Sequence, residues 1–405
     1  MMWYFKFRNA RKFVLPLLSI VAVGLFFNAE GQAGPRDVNA DLLVKEFQKA
    51  LEQVVEETGA PGGVAAFTLP DGRTFTVSAG FADKERGILM APNSRLLSAS
   101  IGKSFVGATA LSLAADGKID LDAKVSTWLS DRPWFSRLPN ANEITLRNLL
   151  DHRAGLLDHV YMPEFAKAIS SGKINLAIAE SPEKLIEFIL DKEPLFPAGK
   201  GFKYTDSGFL IAGLAIEAAT GKTYYGELRR RILDPLGLML TSPSDHPHLP
   251  GLVPGYLPAD NPFGLPEKIL ENHVVTFNPG REWTGGGLVT NAGDLARYAK
   301  ELYEGRVIKG EFSKQLLAVK PRSKDQPYAY PGYGLGQGAK MTDYGLAYGH
   351  NGWIPGYTSF MAYFPDYGIS VAAQFNMVPV SGKPAPVTVA KERLPAVVIN
   401  SLKNK

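Results

Sequence analysis

The strand-like segments of this 405-residue sequence lie at its two ends, and this constrains the fold more than any other feature. Residues 63–69 and 74–80 flank a Pro-Asp-Gly turn, and residues 357–364 and 369–376 flank a second turn. Apolar runs of this length, bounded by Pro, Asp and Gly, are typical of β-hairpins. We expect the two ends to pair into one sheet around the residues between them.

The middle of the chain, about residues 100 to 305, instead has the apolar spacing of helices. Helical segments are expected near 103–116, 182–191, 207–220 and 292–304, and an amphipathic helix over 41–58. In the last apolar segment, residues 387–402, Pro395 is expected to kink or split any helix.

These patterns predict an α/β (α+β) fold, an antiparallel sheet with helices on both faces that carries an inserted, mainly helical domain. We place one domain at residues 34–405. Its sheet part spans 34–99 and 306–405, and its helical part spans 100–305.

Composition and charge exclude several classes of protein. With 45% hydrophobic and 21% charged residues, the chain is an ordinary globular protein and not a disordered or fibrous one. Four basic residues and one acid precede residue 34, so the remainder holds 40 basic against 39 acidic residues. A neutral body gives no electrostatic reason to expect a nucleic-acid or anionic-membrane partner.

The N-terminus has the pattern of a secretory signal. A basic segment precedes the apolar residues 13–27, and small residues follow around Gly31 and Ala33. We interpret residues 1–33 as a signal peptide and expect a periplasmic or secreted bacterial protein; an uncleaved membrane anchor is the alternative. The sequence has no cysteine, which excludes disulfides and a lipoprotein anchor.

Ser100 and Lys103 stand at the start of the predicted helix near 103–116. Residues three apart on a helix share a face, and a lysine in a desolvated site can take the proton of a serine hydroxyl. The alternative is a serine that caps the helix beside a solvated lysine.

A second polar segment, Tyr204 to Asp206, runs into the predicted helix near 207–220. A phenol close to an ammonium can carry a proton between nucleophile and leaving group. Otherwise Asp206 or Ser207 caps the helix and Tyr204 is a packing residue.

A third segment, His350-Asn351-Gly352-Trp353, precedes the strand at 357–364. Glycines on an edge strand allow a ligand to approach backbone N–H groups that could stabilise an oxyanion. A plain β-turn explains the glycines equally well.

Taken together and in this order, the three segments resemble the signatures S-x-x-K, Y-x-N and K-T-G or H-x-G of the penicillin-recognising serine hydrolases. That superfamily includes class C β-lactamases, DD-carboxypeptidases, esterases and D-amino-acid amidases. The resemblance extends over about residues 45 to 380, through segments 95–128, 146–156 and 285–290.

The resemblance implies a role for each matched residue. Ser100 would be the acylated nucleophile, Lys103 its base or proton relay, and Tyr204 the general acid/base. The N–H groups of Ser100 and Trp353 would form the oxyanion hole, and His350 would take the place of the basic residue in the third motif. No metal or other cofactor is implied.

Two residues depart from the family pattern. Asp206 replaces the usual Asn and, when ionised, cannot donate a hydrogen bond. Asn351 replaces a Thr or Ser hydroxyl used near the substrate carboxylate, and Trp353 beyond Gly352 adds an apolar wall. Both departures weaken the case for penicillin hydrolysis.

Other motifs are given structural interpretations. The pair His246 and His248 indicates a surface loop, and His152 a helix–turn position. Residues 285–287 lack the G-K-[ST] of a phosphate loop, and residues 229–231 indicate a solvated helix end.

We therefore expect an exported serine hydrolase that acts on amide or ester bonds, with a D-alanyl-D-alanine carboxypeptidase type preferred. An esterase of the same family and a non-catalytic penicillin-binding sensor are the alternatives. The expected partners are small molecules or peptides, such as peptidoglycan fragments or β-lactams.

Overall fold

The computed structural model describes residues 40–308, 310–322 and 330–404. The predicted signal peptide, residues 1–33, lies outside these ranges and stays a prediction. The helices are α1 (Ala40–Thr58), α2 (Gly102–Ala115), α3 (Ser126–Leu129), α4 (Leu146–Leu150), α5 (Pro163–Ser170), α6 (Pro182–Ile186), α7 (Asp206–Thr220), α8 (Tyr224–Leu228), α9 (Ala292–Tyr303), α10 (Glu311–Leu317) and α11 (Pro386–Lys403). Across the described ranges, none of them is both long and apolar enough to span a bilayer.

The strands form one large antiparallel sheet and two small ones. They are β1 (Gly62–Thr68), β2 (Thr74–Asp83), β3 (Ile88–Leu89), β4 (Leu96–Leu97), β5 (Ser242–Pro243), β6 (Leu270–Glu271), β7 (Val274–Val275), β8 (Leu288–Thr290), β9 (Lys320–Pro321), β10 (Gly332–Tyr333), β11 (Gly338–Thr342), β12 (Gly345–Ile354), β13 (Tyr357–Phe364) and β14 (Ile369–Phe375). The large sheet has the order β3-β2-β1-β14-β13-β12-β11-β10-β9.

The two ends of the chain meet at the β1–β14 pair, where Ala65 lies opposite Ala373. Both predicted hairpins are present, β1 with β2 and β13 with β14. β4, β5 and β8 make a separate three-stranded sheet in the middle of the chain. The predicted fold class is confirmed, because one antiparallel sheet is built from both ends.

Helices cover both faces of the large sheet. Side chains alternate along β1, so Ala65 and Phe67 pack with α1 and α11, while Val64 and Ala66 pack in the core that contains α2 and α9. The central strands β1 and β14 are buried at every position, as expected for a sheet covered on both faces.

Two structural interpretations from the sequence need correction in part. Pro395 does not split the last helix: α11 continues through it, since Leu394, Val398 and Ile399 are fully buried against the sheet and their packing outweighs one lost helical hydrogen bond. Arg229 and Arg230 are exposed, as a solvated face requires, but Arg231 is not. The side chain of Arg231 is only 5% exposed and is paired with Glu227 at 2.6 Å.

A buried amide joins the sheet to the loop that precedes residue 258. The Asn376 side chain accepts a hydrogen bond from the Gly62 N–H at 2.9 Å and donates to the carbonyl oxygens of Phe81, Ala82 and Pro254 at 3.1 to 3.2 Å. This amide therefore fixes the start of β1 and the loop that contains Pro254 relative to each other.

We predict that Asn376→Ala lowers the free energy of unfolding by about 3 kcal/mol, because it strands buried backbone groups that cost about 1–3 kcal/mol each. Urea unfolding measures this loss. A change below about 0.5 kcal/mol, the range of ordinary surface substitutions, would show that these groups find other partners.

Candidate active site

Ser100 lies in a tight turn between β4 and α2. Residues Ala99–Ile101 form one turn of 3₁₀ helix, and Ala99 has a φ of 50°, which is uncommon for a residue other than glycine. The Ser98 backbone on its N-terminal side is fixed twice, since its N–H donates to Leu288 at 2.9 Å and its carbonyl accepts from the Ser359 hydroxyl at 2.8 Å. The nucleophile candidate therefore stands on a well-supported turn.

Lys103 lies one helical turn after Ser100 and is fully buried. Its Nζ donates to Ser100 Oγ at 3.1 Å, lies 2.5 Å from Asp206 Oδ1 and donates to the Gly285 carbonyl. The ammonium thus makes two hydrogen bonds, to Ser100 and Gly285, and one ion pair, with Asp206. The buried charge is thus both paired and hydrogen-bonded, the condition under which burial is tolerated.

The Gly285 carbonyl reaches Lys103 because the glycine segment at 285–287 packs against the Ser100 turn. A Cβ at Gly286 would lie 2.5 Å from the carbonyl carbon of Ala99, so only glycine fits there. The sequence argues against a phosphate loop here because no G-K-[ST] follows. It does not reveal that the segment supplies a carbonyl to the lysine.

Tyr204 and Asp206 lie where α7 begins. The Lys103 Nζ is 5.0 Å from the centroid of the Tyr204 ring, and the Asp206 side chain is 23% exposed. The Asp206 N–H, the first of the helix, donates to Asp158 Oδ2 at 3.1 Å. Asp158 thus places a carboxyl group at the positive end of the helix.

The third predicted segment lies on the second half of β12. β11 pairs with β12 only as far as Gly349, so among the described residues the strand from His350 onward is paired on one side, by β13. A Cβ at Gly352 would lie 2.1 Å from the Ser98 carbonyl oxygen, and glycine alone permits this approach. The open edge of Gly352 and Trp353 therefore runs directly beside the Ser100 turn.

His350 is in this segment but does not supply a positive charge. It is fully buried, and burial, reinforced by the charge of Lys103, lowers its pKa to about 3. Its Nδ1 donates to the Asn351 carbonyl at 2.6 Å, since a carbonyl only accepts, and its Nε2 accepts from the Tyr333 hydroxyl at 3.0 Å. His350 is therefore a neutral ring at neutral pH, unlike the basic residue whose place the resemblance assigned to it.

Two carboxyl groups that sequence reasoning missed also line the site. Burial, together with the charge of Asp206, raises the pKa of Asp158 and of Glu282 to about 7. No residue in the described part of the chain forms a hydrogen bond or an ion pair with the Glu282 carboxyl group. Asp158 is 48 residues from Asp206 and Glu282 is 76 residues from it, so no local spacing could reveal either.

These groups open into one cavity of about 1520 Å³. Ser100, Tyr204, Asp206, Asn351, Gly352 and Trp353 line one part of it. The rest is mainly apolar, with Tyr161, Phe165, Ile174, Leu176, Phe263 and Phe277. Trp353, 48% exposed, packs against Phe263 with ring centroids 5.7 Å apart and forms one wall.

Residues 47–391 match the sequence profile of the β-lactamase family. Penicillin-binding protein 4* of Bacillus subtilis is 23% identical over 299 residues, which are 72% of this chain and 62% of that protein. A D-aminopeptidase of Cereibacter sphaeroides is 26% identical over 346 residues, 82% of this chain and 59% of that protein. The chain thus spans about three fifths of the length of these two relatives.

The fold is also similar to that of solved structures. The crystal structure of D-amino acid amidase from Ochrobactrum anthropi SV3 complexed with D-phenylalanine matches with a TM-score of 0.74 and 25% identity. The match covers 89% of this chain and 99% of that one. With the site geometry and the profile match in agreement, the chain belongs to the β-lactamase family.

Proposed function

We propose that the protein hydrolyses amide or ester bonds through an acyl-enzyme on Ser100. The observation that carries this proposal is the 3.1 Å contact between Lys103 Nζ and Ser100 Oγ at the wall of the cavity. A nucleophile within hydrogen-bond reach of a base, which is itself oriented by a third group, is the general arrangement of covalent acyl transfer. Here Asp206 is the orienting group.

In the first step, Ser100 Oγ bonds to the substrate carbonyl carbon while the N–H groups of Ser100 and Trp353 stabilise the oxyanion. The Ser100 proton passes through Lys103 and Tyr204 to the leaving amine or alcohol as its bond to the carbonyl breaks. Water then attacks the carbonyl carbon of the acyl-enzyme, the bond from this carbon to Ser100 Oγ breaks to release the carboxylic acid, and the relay passes a proton from the water to Ser100 Oγ. Because an ammonium has no lone pair to accept the Ser100 proton, Lys103 must first pass a proton on, and Asp206, its ion-pair partner at 2.5 Å, is the nearest carboxylate.

The substrate is expected to carry an amino group close to the scissile bond. The family resemblance assigns a basic residue to the third motif, but His350 at this position is neutral. Glu282 instead offers the cavity a carboxyl group that has no partner among the described side chains. A D-aminoacyl amide or ester fits this distribution, as the names of two relatives suggest.

The D-alanyl-D-alanine carboxypeptidase and the simple esterase are the alternative activities. Lys203 also lines the cavity and is the cation that a peptide carboxylate could meet. The Arg281 guanidinium, by contrast, donates to the carbonyl oxygens of Asn175, Leu176 and Ile178. Export, as the N-terminal sequence predicts, would bring the enzyme to D-amino-acid compounds, peptidoglycan fragments and β-lactams alike.

We predict that a fluorophosphonate adds one mass equivalent to the folded protein and none to Ser100→Ala. Intact-protein mass spectrometry measures the adduct, and a thermal melt shows that the variant is folded. A parallel incubation with benzylpenicillin tests the sensor alternative, which predicts a stable adduct without turnover. Labelling that survives in Ser100→Ala would exclude Ser100 as the nucleophile.

We predict that D-phenylalanine amide has a kcat/KM at least about 10-fold above that of its N-acetyl derivative, since a charge-assisted hydrogen bond contributes about 1.5–3 kcal/mol. Glu282→Gln should narrow this ratio, because the amide keeps the shape and loses the charge. The same assay is run with L-phenylalanine amide, which tests stereochemical preference, and with diacetyl-Lys-D-Ala-D-Ala, a peptide that ends in a carboxylate. A preference for the carboxylate-ended peptide would favour the carboxypeptidase instead.

Glu282 also predicts a pH dependence of stability. The unfolded chain releases this proton near its ordinary pKa of 4.5, whereas the native protein keeps it up to about 7. The native state therefore binds more protons in this window, and its stability falls as the pH rises from about 4.5 to about 7. Urea unfolding should show a smaller decline in Glu282→Gln, and an equal decline in both proteins would contradict the assignment.

A further inference from the structure

His152 lies in the turn that follows α4, where the sequence suggested a merely structural role. Its φ is 59°, in the left-handed region, and the side chain is buried. A residue other than glycine adopts this conformation at a cost in free energy, and it persists only where the surroundings require it. The contacts of His152 show what this conformation provides.

His152 accepts a hydrogen bond from the backbone N–H of each of the two residues that flank Tyr204. The His152 carbonyl accepts from the Lys203 N–H at 2.9 Å, and its Nδ1 accepts from the Thr205 N–H at 3.2 Å. One residue thus fixes the chain on either side of the tyrosine. Of these two bonds, only the one to Nδ1 depends on the side chain, and an apolar side chain of similar size could not accept it.

The His152 ring also packs on the Tyr204 ring itself. Their centroids are 4.1 Å apart at an interplanar angle of 39°, closer than the contacts of His152 with Tyr333 at 4.8 Å and Phe209 at 5.0 Å. The Tyr204 ring therefore contacts both the His152 ring and the Lys103 ammonium, whose Nζ is 5.0 Å from the centroid of the Tyr204 ring. Backbone and ring contacts together fix both the position and the tilt of the phenol.

The protonation state of His152 fits this arrangement. Because Nδ1 accepts a hydrogen bond, the neutral ring carries its proton on Nε2, and burial together with the Lys103 charge lowers the pKa well below its ordinary value. Nε2 is buried and has no hydrogen-bond partner in the part of the chain that the structure describes. The ring is thus retained at the cost of an unsatisfied donor, where an apolar side chain would avoid that cost.

We infer that His152 is a positioning residue that holds the Tyr204 phenol in line with Ser100 and Lys103. The inference rests on the proposed function, in which Tyr204 carries the proton to the leaving group. His152 itself does not contact the substrate in this role. Its effect must therefore pass through the Tyr204 hydroxyl, and this makes the role testable.

The test is a double-mutant cycle between His152→Asn and Tyr204→Phe. Asn tolerates a left-handed φ and can keep the acceptor for the Thr205 N–H, so the variant loses mainly the ring. We expect His152→Asn to lower kcat on D-phenylalanine amide about 10-fold with KM changed less than about 3-fold. When Tyr204 is already Phe, adding His152→Asn should lower kcat less than about 2-fold, because the hydroxyl that His152 positions is absent.

Two comparisons separate positioning from a loss of stability. With p-nitrophenyl acetate as the substrate, the leaving group needs no proton. On this ester, kcat of His152→Asn should be less than about 3-fold below that of the wild type. Phe47→Leu, a buried substitution under α1 that contacts Phe67 at 4.8 Å, should lower the melting temperature and leave kcat per folded molecule unchanged. His152→Ala also removes the acceptor for the Thr205 N–H. Its kcat on D-phenylalanine amide should therefore fall further than that of His152→Asn.

Two results would overturn the inference. One is a double variant whose kcat falls by the product of the two single-variant factors. The other is a His152→Asn variant whose kcat falls by the same factor on the amide and on the ester. Rates of fluorophosphonate labelling in the same proteins separate this failure from failure of the proposed function. If Ser100 still labels and Tyr204→Phe is still slow, only the role of His152 is wrong. If Tyr204→Phe is as active as the wild type, the assignment of Tyr204 fails and the inference fails with it.

Discussion

The buried ammonium of Lys103 is the interaction on which the rest of the site depends. Its three partners, two hydrogen-bond acceptors and one ion-pair carboxylate, come from three separate parts of the chain: the Ser100 turn, the glycine segment at 285–287 and the start of α7. A charge without solvent must keep all its partners, because losing one leaves an unpaired charge in a low dielectric. The lysine therefore fixes the relative positions of the elements that carry the chemistry.

The sheet serves this arrangement by bringing one open strand edge to the same place. Gly352 lets β12 approach the Ser98 carbonyl, and Gly286 lets the opposite segment approach Ala99. The nucleophile turn thus lies between two backbone segments that approach it closely because both carry glycine at the contact. A site built on backbone contacts is rigid, as pre-organised stabilisation of an oxyanion requires.

The sequence predicts those features that depend on local spacing. The hairpins follow from alternation, and the Ser100–Lys103 contact follows from residues three apart on one turn. Asp158, Glu282 and the role of His152 depend on contacts between distant segments, so no single-sequence pattern indicates them. The continuous α11 shows the same limit, since tertiary packing outweighs the local effect of Pro395. The charge of His350 could not be predicted either, because burial sets its pKa.

The central claim is that Lys103 activates Ser100, and one rate constant tests it most directly. Lys103→Met keeps the length of the side chain and removes its nitrogen. The account predicts that the second-order rate of phosphonylation of Ser100 falls at least about 1000-fold in this variant, with the fold retained by circular dichroism. A folded Lys103→Met protein that reacts within about 10-fold of the wild-type rate would contradict the account, because Ser100 would then owe its reactivity to another group.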